Sequence, residues 1–373
     1  MSTTHRRRVS RTSKVIGAVA AAAVAGCAAF ALSGAANAGT VAEKKHSATK
    51  SAHQGAAKGK NAKGKKGKKD RKTPRAGARF APYVDTSLSP AFNLVGAAKK
   101  TGVKEFSLAF ITSGGGCTPT WGGATDLGGD GVARQIGALR KAGGDVRVSF
   151  GGASGSELGV ACTSAEQLTA AYAKAVDTFK LTKVDFDIEG AALPDTTANT
   201  RRAKAIAALQ KSHPGLDVSF TLPVMPTGLT QDGVKLVADA KKNGVKVSAV
   251  NIMAMDYGAS FDGDMGRYAI EAATATQAQL KDALGLCDRA AWRTVVVTPM
   301  IGVNDVVTEV FTVDDARQLV DFARSKKLGG LSMWSATRDK ACPGGPQNSA
   351  SPTCSSVEQK EFAFSKALGA YRG

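Results

Sequence analysis

Three acidic residues alternate with apolar residues within Val184–Gly190, a segment rich in strand formers. Asp185, Asp187 and Glu189 would share one face of a strand, because side chains alternate faces with a period of two. A neighbouring carboxylate raises the pKa of a carboxyl group. The spacing therefore predicts a carboxyl group that keeps its proton near neutral pH, as a general acid requires. An exposed edge strand is the alternative, but the apolar opposite face favours a buried strand.

Histidine and cysteine chemistry is restricted by where these residues lie. Three of the four histidines precede residue 79, and the fourth, His213, lies in the predicted turn Ser212–Gly215. The sequence contains no Cys-x-x-Cys motif and no Cys/His cluster. The glycine run Ser113–Gly116 lacks the spacing of a dinucleotide-binding loop. We therefore expect no histidine-based catalytic triad, no metal site and no cofactor.

Strand and helix patterns alternate eight times from residue 79 onward, which is the order of a (β/α)8 TIM barrel in the α/β class. The predicted strands are Phe80–Thr86, Glu105–Thr112, Asp145–Gly152, Lys183–Gly190, Asp217–Pro226, Ser248–Gly258, Thr294–Asn304 and Gly329–Thr337. The predicted helices include Ser164–Lys180, Thr197–Lys211, Gly233–Lys242, Ala269–Leu284, Val313–Lys326 and a final Ser356–Tyr371. An open doubly wound sheet is the alternative, but no glycine-rich phosphate loop follows the first strand.

In a barrel of this kind the active site lies at the carboxyl ends of the strands. Several polar and aromatic residues lie late in predicted strands one, four, six and eight: Tyr83, Asp85, Glu189, Asp256, Tyr257 and Trp334. We expect these side chains to meet at one mouth, above a barrel body that stays apolar.

The run Asp185-x-Asp187-x-Glu189 resembles the core of the Asp-x-x-Asp-x-Asp-x-Glu motif of family 18 glycoside hydrolases, the chitinase family. Three further stretches resemble motifs of that family in the same order: Ser149–Gly152, Met253–Tyr257 and Ser332–Ser335. The resemblance covers about residues 79–373 and is strongest to compact bacterial chitinases without the inserted domain. Thr182 and Lys183 depart from the motif, which usually has Asp and Gly there. Whether this departure alters the pKa values of the carboxyl groups stays open.

The resemblance implies that Glu189 protonates the glycosidic oxygen, with Asp187, Asp185 and Tyr257 as further catalytic residues. Asp187 lies on the same strand and side as Glu189, so it is badly placed to attack the anomeric carbon as a second carboxylate. The resemblance instead implies attack by the acetamido oxygen of the substrate. Asp187 would stabilise the resulting oxazolinium ion, and Asp185 would lie deeper and share the proton. Substrates would then be 2-acetamido sugars such as chitin or chitooligosaccharides.

The same resemblance assigns Asp256 and Tyr257 to the acetamido group. Met255 takes the place of the usual Tyr in that motif, so which side chain reaches the acetamido carbonyl stays open. We expect Trp334 to form the floor beneath the reacting sugar, since sugar rings pack on aromatic faces; a position in the barrel core is the alternative. The other expected substrate-binding residues are Trp121, Tyr83, Met253 and Met300, with Asn304 and Asp305 as weaker candidates.

Residues 1–38 have the pattern of a secretory signal peptide. Five basic residues within Arg6–Lys14 precede the apolar stretch Val15–Leu32, and Ala36–Ala38 forms a small-x-small cleavage site. We therefore expect a secreted, extracellular protein. A membrane anchor is one alternative, and a lipoprotein acylated at Cys27, which follows a lipobox-like Val24–Gly26, is another.

The formal net charge of +19 is concentrated before the predicted barrel. Residues 1–40 carry five basic and no acidic residues, and residues 41–75 carry thirteen basic and two acidic residues, which leaves +3 for residues 76–373. Residues 39–78 are rich in Lys, Gly and Ala, so we predict a disordered linker. This tail is either a spacer or a segment attracted to anionic cell-wall polymers. We expect no nucleic acid partner, because no recognition fold accompanies the tail. We also expect the protein to be a monomer.

Five of the six cysteines remain once residues 1–38 are removed. Cys117 and Cys162 follow predicted strands two and three, and Cys342 and Cys354 bracket one loop rich in Pro, Gly and Ser. We predict these two disulfides, which an exported protein can retain. Cys287 is left unpaired.

The sequence thus predicts a catalytic domain at residues 79–373 that acts as a chitinase. An endo-β-N-acetylglucosaminidase acting on N-glycans would use the same chemistry with different loops. A non-catalytic, chitin-binding barrel similar to a lectin is a third hypothesis. The presence of both Glu189 and Asp187 argues against it.

Overall fold

Eight parallel strands form a curled sheet in the computed structural model, which describes residues 80–372. The predicted signal peptide (1–38), Cys27 and the predicted linker (39–78) lie outside these residues. In chain order the barrel strands are β1 Tyr83–Asp85, β2 Glu105–Ser113, β3 Asp145–Gly151, β4 Lys183–Asp187, β5 Asp217–Met225, β6 Ala249–Ala254, β7 Val295–Pro299 and β8 Gly330–Leu331.

Each barrel strand pairs with its neighbours in chain order, and the first strand meets the last. The amide N–H of Ala81 donates to the carbonyl of Leu331, and that of Tyr83 donates to the carbonyl of Met333, both at 3.1 Å. These bonds close the sheet, so the prediction of a (β/α)8 barrel is confirmed.

Helices cover the outside of this sheet. They are α1 Leu94–Thr101, α2 Ile136–Lys141, α3 Leu158–Ala161, α4 Ala165–Phe179, α5 Thr196–Ser212, α6 Gln231–Lys242, α7 Met265–Leu284, α8 Asp288–Thr294, α9 Val313–Lys326 and α10 Ala363–Leu368. Side-chain caps fix several starts; for example, Thr312 and Asp315 form a capping box at α9. Across residues 80–372, none of the helices has the length and apolar character needed to cross a bilayer.

The apolar residues of β4 face these helices. Phe186 is fully buried and stacks on Phe150 of β3 at a centroid distance of 5.4 Å. Tyr172 of α4 meets the Phe186 ring edge-on at 4.9 Å. Burial of one such side chain stabilises the fold by about 1.5–3 kcal/mol. Because the apolar residues of β4 must face outward, the alternating acidic residues must point into the barrel.

Several predicted element ends were wrong. The strand predicted from Thr294 begins one residue later, because Thr294 ends α8, and it ends at Pro299 rather than Asn304. Beyond it, Gly302–Val303 pairs antiparallel with Val310–Phe311 instead of extending the barrel.

The predicted final helix Ser356–Tyr371 is also too long, since α10 covers only Ala363–Leu368. Phe362, the residue before α10, has φ of +62° and interrupts any helix there. The buried carboxylate of Asp339 accepts the amide N–H groups of Phe364 and Ser365. It thereby caps the start of α10, because the first turn of a helix leaves such amides unpaired.

Both predicted disulfides are confirmed. Cys117–Cys162 joins the loops after β2 and β3, and Cys342–Cys354 closes the loop before α10. Cys287 is exposed and unpaired.

A buried ion pair anchors the segment after β3 to α5. The Arg202 guanidinium donates to Glu157 with Nη2–Oε2 at 2.5 Å, and the two side chains are 1% and 6% exposed. Burial opposes ionisation of Glu157, but the charge of Arg202 and its hydrogen bonds lower the pKa of this carboxyl group below its ordinary value. Removing one partner of such a pair leaves an uncompensated buried charge, which costs far more than the pair contributes.

We predict that Glu157→Ala lowers the free energy of unfolding by about 3–5 kcal/mol, because Arg202 stays buried without its counter-ion. Urea unfolding followed by circular dichroism measures this change. The control is Asp321→Ala, which breaks an exposed pair with Arg324 and should cost less than about 1 kcal/mol. Equal losses in the two variants would contradict the assignment.

Candidate active site

The carboxylate of Asp185 is 1% exposed and accepts four hydroxyl donors inside the barrel. Its Oδ2 accepts from Ser149 at 2.7 Å and from Tyr83 at 3.0 Å. Its Oδ1 accepts from Ser219 at 2.5 Å, and Thr221 lies 2.9 Å from both oxygens. Donors directed at a buried carboxyl group favour its ionised form. The barrel interior therefore encloses a fully hydrogen-bonded carboxyl group beneath the mouth.

Asn251 orients two of these hydroxyls. Its Nδ2 donates to the Tyr83 oxygen at 3.2 Å and to Thr221 Oγ1 at 3.0 Å. Thr298 donates to Asn251 Oδ1 at 2.7 Å and fixes the amide. Since each hydroxyl oxygen receives a donor, its own hydrogen is free to point at Asp185.

Asp187 lies above Asp185 at the end of β4, and Glu189 lies two residues beyond. The Asp187 side chain is 4% exposed, and its Oδ1 has no hydrogen-bond partner. The amide N–H of Gly152 donates to the backbone carbonyl of Asp187 at 3.1 Å. Gly151 has φ of +103°, and a Cβ atom there would overlap that carbonyl oxygen. Gly151 thus lets the end of β3 approach Asp187 closely.

The two mouth carboxyl groups keep their protons more tightly than ordinary acids. Burial, followed by the negative charges of Glu189 and Asp185, raises the pKa of Asp187 well above its usual value. Burial also raises the pKa of the half-buried Glu189. Both pKa values are therefore shifted upward, which is the direction that a general acid requires.

A cavity of about 210 Å³ opens above these groups. Trp334 and Phe110 stack on one side, with ring centroids 5.6 Å apart and planes inclined by 24°. The cavity contains seven of the ten sequence-predicted site residues: Tyr83, Asp187, Glu189, Met253, Asp256, Met300 and Trp334. Its other lining residues are Phe110, Ala153, Thr221, Met255, Thr298 and Asp305. Asp185 lies below, as expected for the deeper carboxylate.

The structure contradicts the expectation that Trp121 stacks on a sugar. Its side chain is 2% exposed, and its indole N–H donates to the carbonyl of Leu127 at 3.1 Å. The ring packs against Phe179 of α4 at 5.8 Å. Trp121 belongs to a short strand, Pro119–Trp121, that folds back on β2, and so it is a core residue.

The structure also places Tyr257 away from the cavity. The ring is 6% exposed and packs against Phe261 and Tyr268, and its hydroxyl has no hydrogen-bond partner. Asp256 has φ of +52°, which breaks the strand alternation and turns the next residue into the core. Met255, not Tyr257, lines the cavity. The expectation that Tyr257 touches the reacting sugar is therefore wrong.

Two bonds join the loops after β6 and β7. Asp256 Oδ1 accepts the amide N–H of Val306 at 2.8 Å, and Glu309 Oε1 accepts that of Gly258 at 2.8 Å. These contacts hold Asp256 at the rim, beside Asp305. Asn304, a weaker candidate, is fully buried, and its amide donates to backbone carbonyls of its own loop.

Sequence reasoning missed several site residues. Ser219, Thr221 and Asn251 occupy inward positions of β5 and β6, so the period-two pattern could have found them. Phe110 could not be found in this way, because a register shift between Ala109 and Ile111 re-aims its side chain. Thr182, where the family motif has Asp, is exposed just before β4 at the opposite end from the cavity.

Within residues 80–372, no group of three or more His, Cys, Asp or Glu side chains could hold a metal ion. The polar groups of the cavity are carboxylates and hydroxyls, which suit acid catalysis and hydrogen bonding to a polar ligand.

No family model matches the chain. Its sequence is 39% identical over 285 residues to a probable bifunctional chitinase/lysozyme of Escherichia coli (strain K12), which covers 71% of this chain and 31% of that protein. It is 38% identical over 277 residues to Endochitinase 11 of Metarhizium anisopliae, with 70% and 52% covered. The chain thus spans about a third and about half of the length of these curated relatives.

The structure matches active domain 2 of a chitinase from Pyrococcus furiosus with a TM-score of 0.72 and 37% identity, covering 78% of this chain and 94% of that one. A GH18 chitinase from Pseudoalteromonas aurantia matches with a TM-score of 0.51 at 17% identity, covering 69% and 94%. At that identity the second match shows the fold alone.

We predict that Gly151→Ala lowers the free energy of unfolding by about 2–5 kcal/mol, since the new methyl group meets the Asp187 carbonyl and the backbone stays at positive φ. Chemical unfolding measures the loss. Gly116→Ala is the matched control, because Gly116 has φ of +54° but open space around its Cβ position. It should cost only about 1 kcal/mol. If Gly151→Ala is as mild as its control, the close approach is not required.

Proposed function

Because the chain belongs to the family 18 glycoside hydrolases, we propose that it is a chitinase that cleaves β-1,4-linked N-acetylglucosamine polymers. We further propose a retaining mechanism assisted by the substrate. One observation carries this proposal: Asp187 Oδ1 is a buried acceptor without a partner, next to the acid Glu189. Buried polar atoms are rarely left unpaired, and an acetamido N–H of a bound sugar would supply the missing donor.

In the proposed reaction Glu189 gives its proton to the glycosidic oxygen while the bond from that oxygen to C1 breaks. The acetamido carbonyl oxygen of the same sugar forms a bond to C1 from the opposite face, which yields an oxazolinium ion. Asp187 accepts the acetamido N–H and stabilises the positive charge. Water then attacks C1, Glu189 takes a proton from it, and the ring opens back to the acetamide. Two inversions at C1 leave the β configuration retained.

The other cavity residues would orient the sugar. Trp334, backed by Phe110, offers an aromatic face to the apolar side of a sugar ring. Asp256 and Asp305 at the rim can accept sugar hydroxyl groups. Tyr83 is buried, and burial together with the charges of Asp185 and Asp187 raises its pKa well above the usual value. It therefore stays a hydroxyl donor throughout the reaction.

We also propose that residues 1–38 direct export and are removed, which makes the protein extracellular, and that the protein is a monomer. The n-region, apolar stretch and cleavage site support export. We propose that the basic segment 39–78 acts as a spacer whose positive charge attracts anionic cell-wall polymers. The concentration of thirteen Lys and Arg residues within 41–75 supports this attraction.

We predict that Glu189→Gln lowers the turnover of chitohexaose by at least about 100-fold, because an amide cannot deliver the proton. Chitooligosaccharide binding, measured by calorimetry, should survive, since the cavity keeps its shape. Unchanged turnover would move the acid elsewhere. Wild-type protein that binds chitohexaose without cleaving it would favour a binding protein, and cleavage of a high-mannose glycopeptide alone would favour the N-glycan activity.

The pH dependence should follow from the same pair. Glu189 must be protonated to act, and burial raises its pKa, so the alkaline limb of kcat/KM should lie above the ordinary pKa of a Glu side chain, about 4.3. The pair loses its last proton against the negative charge of the carboxylate that is already ionised. Asp187→Asn removes that charge, so Glu189 then loses its proton at lower pH. The alkaline limb should therefore move downward while kcat falls. A limb that stays in place would contradict the coupling.

We predict that Trp334→Ala weakens chitohexaose binding by about tenfold or more, because the aromatic platform is lost. The matched control is Trp121→Phe, which should leave binding unchanged and reduce stability by about 1 kcal/mol through the lost bond to Leu127. Calorimetric titration and thermal unfolding measure both quantities. The opposite pattern would restore Trp121 to the binding site.

A further inference from the structure

An arginine lies beneath the Asp185 carboxylate, at the amino-terminal end of the barrel. Arg147 of β3 points inward and is 19% exposed. Its Nη1 donates to the Val184 carbonyl at 2.7 Å and to Ser219 Oγ at 3.1 Å. Its Nη2 pairs with Asp217 at 2.7 Å. This guanidinium and the carboxylate both line a second cavity, of about 110 Å³, with other polar side chains that include Ser107, Asn251 and Ser332.

Arg147 determines which way the Ser219 hydroxyl points. A guanidinium has donors only, so Ser219 Oγ must accept from Arg147. The hydroxyl hydrogen of Ser219 is then directed to Asp185 Oδ1, 2.5 Å away. Arg147 therefore acts on Asp185 in two ways: it orients a donor toward the carboxylate, and it places a positive charge one hydroxyl away.

Resting on the proposed chitinase function, we propose that Arg147 is a positioning residue for catalysis that acts through Ser219 to keep Asp185 ionised. When Asp185 is ionised, the proton that the carboxyl groups share stays on Asp187 or Glu189. Both line the active-site cavity, where the reaction uses the proton. Arg147 does not line the active-site cavity of about 210 Å³, and sequence analysis did not single it out.

The contribution of Arg147 to the charge around Asp185 depends on the other groups that face Asp185 from the surrounding strands. Hydroxyl or amide groups come from β1, β3, β5 and β6, and among residues 80–372 the carboxyl group above it is that of Asp187. The hydroxyl and amide side chains are Tyr83, Ser149, Ser219, Thr221 and Asn251. At the same end as Arg147, Lys183 pairs with Glu105 and lies 3.9 Å from Asp145, but no hydrogen bond links it to a partner of Asp185. Of the described residues bonded to these partners, Arg147 is the cationic one.

The test compares pH profiles of kcat/KM on a soluble chitooligosaccharide. In Arg147→Met the neighbouring carboxyl groups of Asp185 and Asp187 should take up a second proton more readily, so the acid limb should move to higher pH by about one unit. Arg147→Lys keeps a positive charge and should restore most of the shift. Lys183→Met removes a cation from the same end of the barrel without breaking a bond to Ser219, and its profile should stay close to that of the wild type. Thermal unfolding verifies that each variant is folded.

Ser219→Ala provides a second route if Arg147→Met does not fold. It removes the relaying hydroxyl, leaves the Arg147–Asp217 pair intact, and should move the acid limb in the same direction. An unchanged acid limb in Arg147→Met, or in Ser219→Ala where the first variant fails to fold, overturns the proposal. An equal shift in Lys183→Met also overturns it, because charge at this end of the barrel would then act without the relay.

Carboxyl ¹³C NMR of Asp-labelled protein separates this proposal from the proposed function. Titration of the Asp185–Asp187 pair should move to higher pH in Arg147→Met whether or not the wild type cleaves chitooligosaccharides. A wild type without hydrolysis sinks the proposed function alone, whereas an unmoved titration in a folded Arg147→Met variant sinks the role of Arg147.

Discussion

A single buried negative charge organises the centre of this barrel. An ionised carboxylate removed from water is costly unless donors replace its hydration shell. Asp185 receives hydroxyls from β1, β3 and β5, and these strands converge on one point only when the sheet closes. The closing bonds between the start of β1 and the end of β8 therefore matter for chemistry as well as for stability. The negative charge of Asp185 also raises the pKa of Asp187, which helps Asp187 keep its proton.

The outer face of β4 stabilises the fold, and its inner face carries the carboxyl groups of the site. Phe186 and its aromatic neighbours bury the outer face against α4, which offsets the repulsion among the carboxyl groups on the inner face. An active site of this kind lowers stability locally, since like charges and an unpaired acceptor are kept together. Close contact between the end of β3 and Asp187 then fixes the backbone position of Asp187, which packing of the aromatic side chains alone does not fix.

The fold and the placement of two carboxyl groups at the barrel mouth could be predicted because both depend on short-range pattern. Alternation along Val184–Gly190 identified Asp187 and Glu189, and regular strand-helix order identified the barrel. Residues whose positions depend on local breaks in that pattern could not be predicted. A register shift turns Phe110 into the cavity, positive φ at Asp256 turns Tyr257 out of it, and a fold-back strand buries Trp121. Arg147 acts across three strands, a relation that no single segment contains.

The configuration of the first product tests the central claim most directly. Proton NMR of chitohexaose cleavage, recorded before mutarotation, reports which anomer forms at the new reducing end. If the acetamido oxygen attacks C1 beside Asp187, two inversions occur and the β anomer must accumulate first. Initial accumulation of the α anomer would contradict the account, because it would require direct attack by water and a carboxylate acting as base across the cavity.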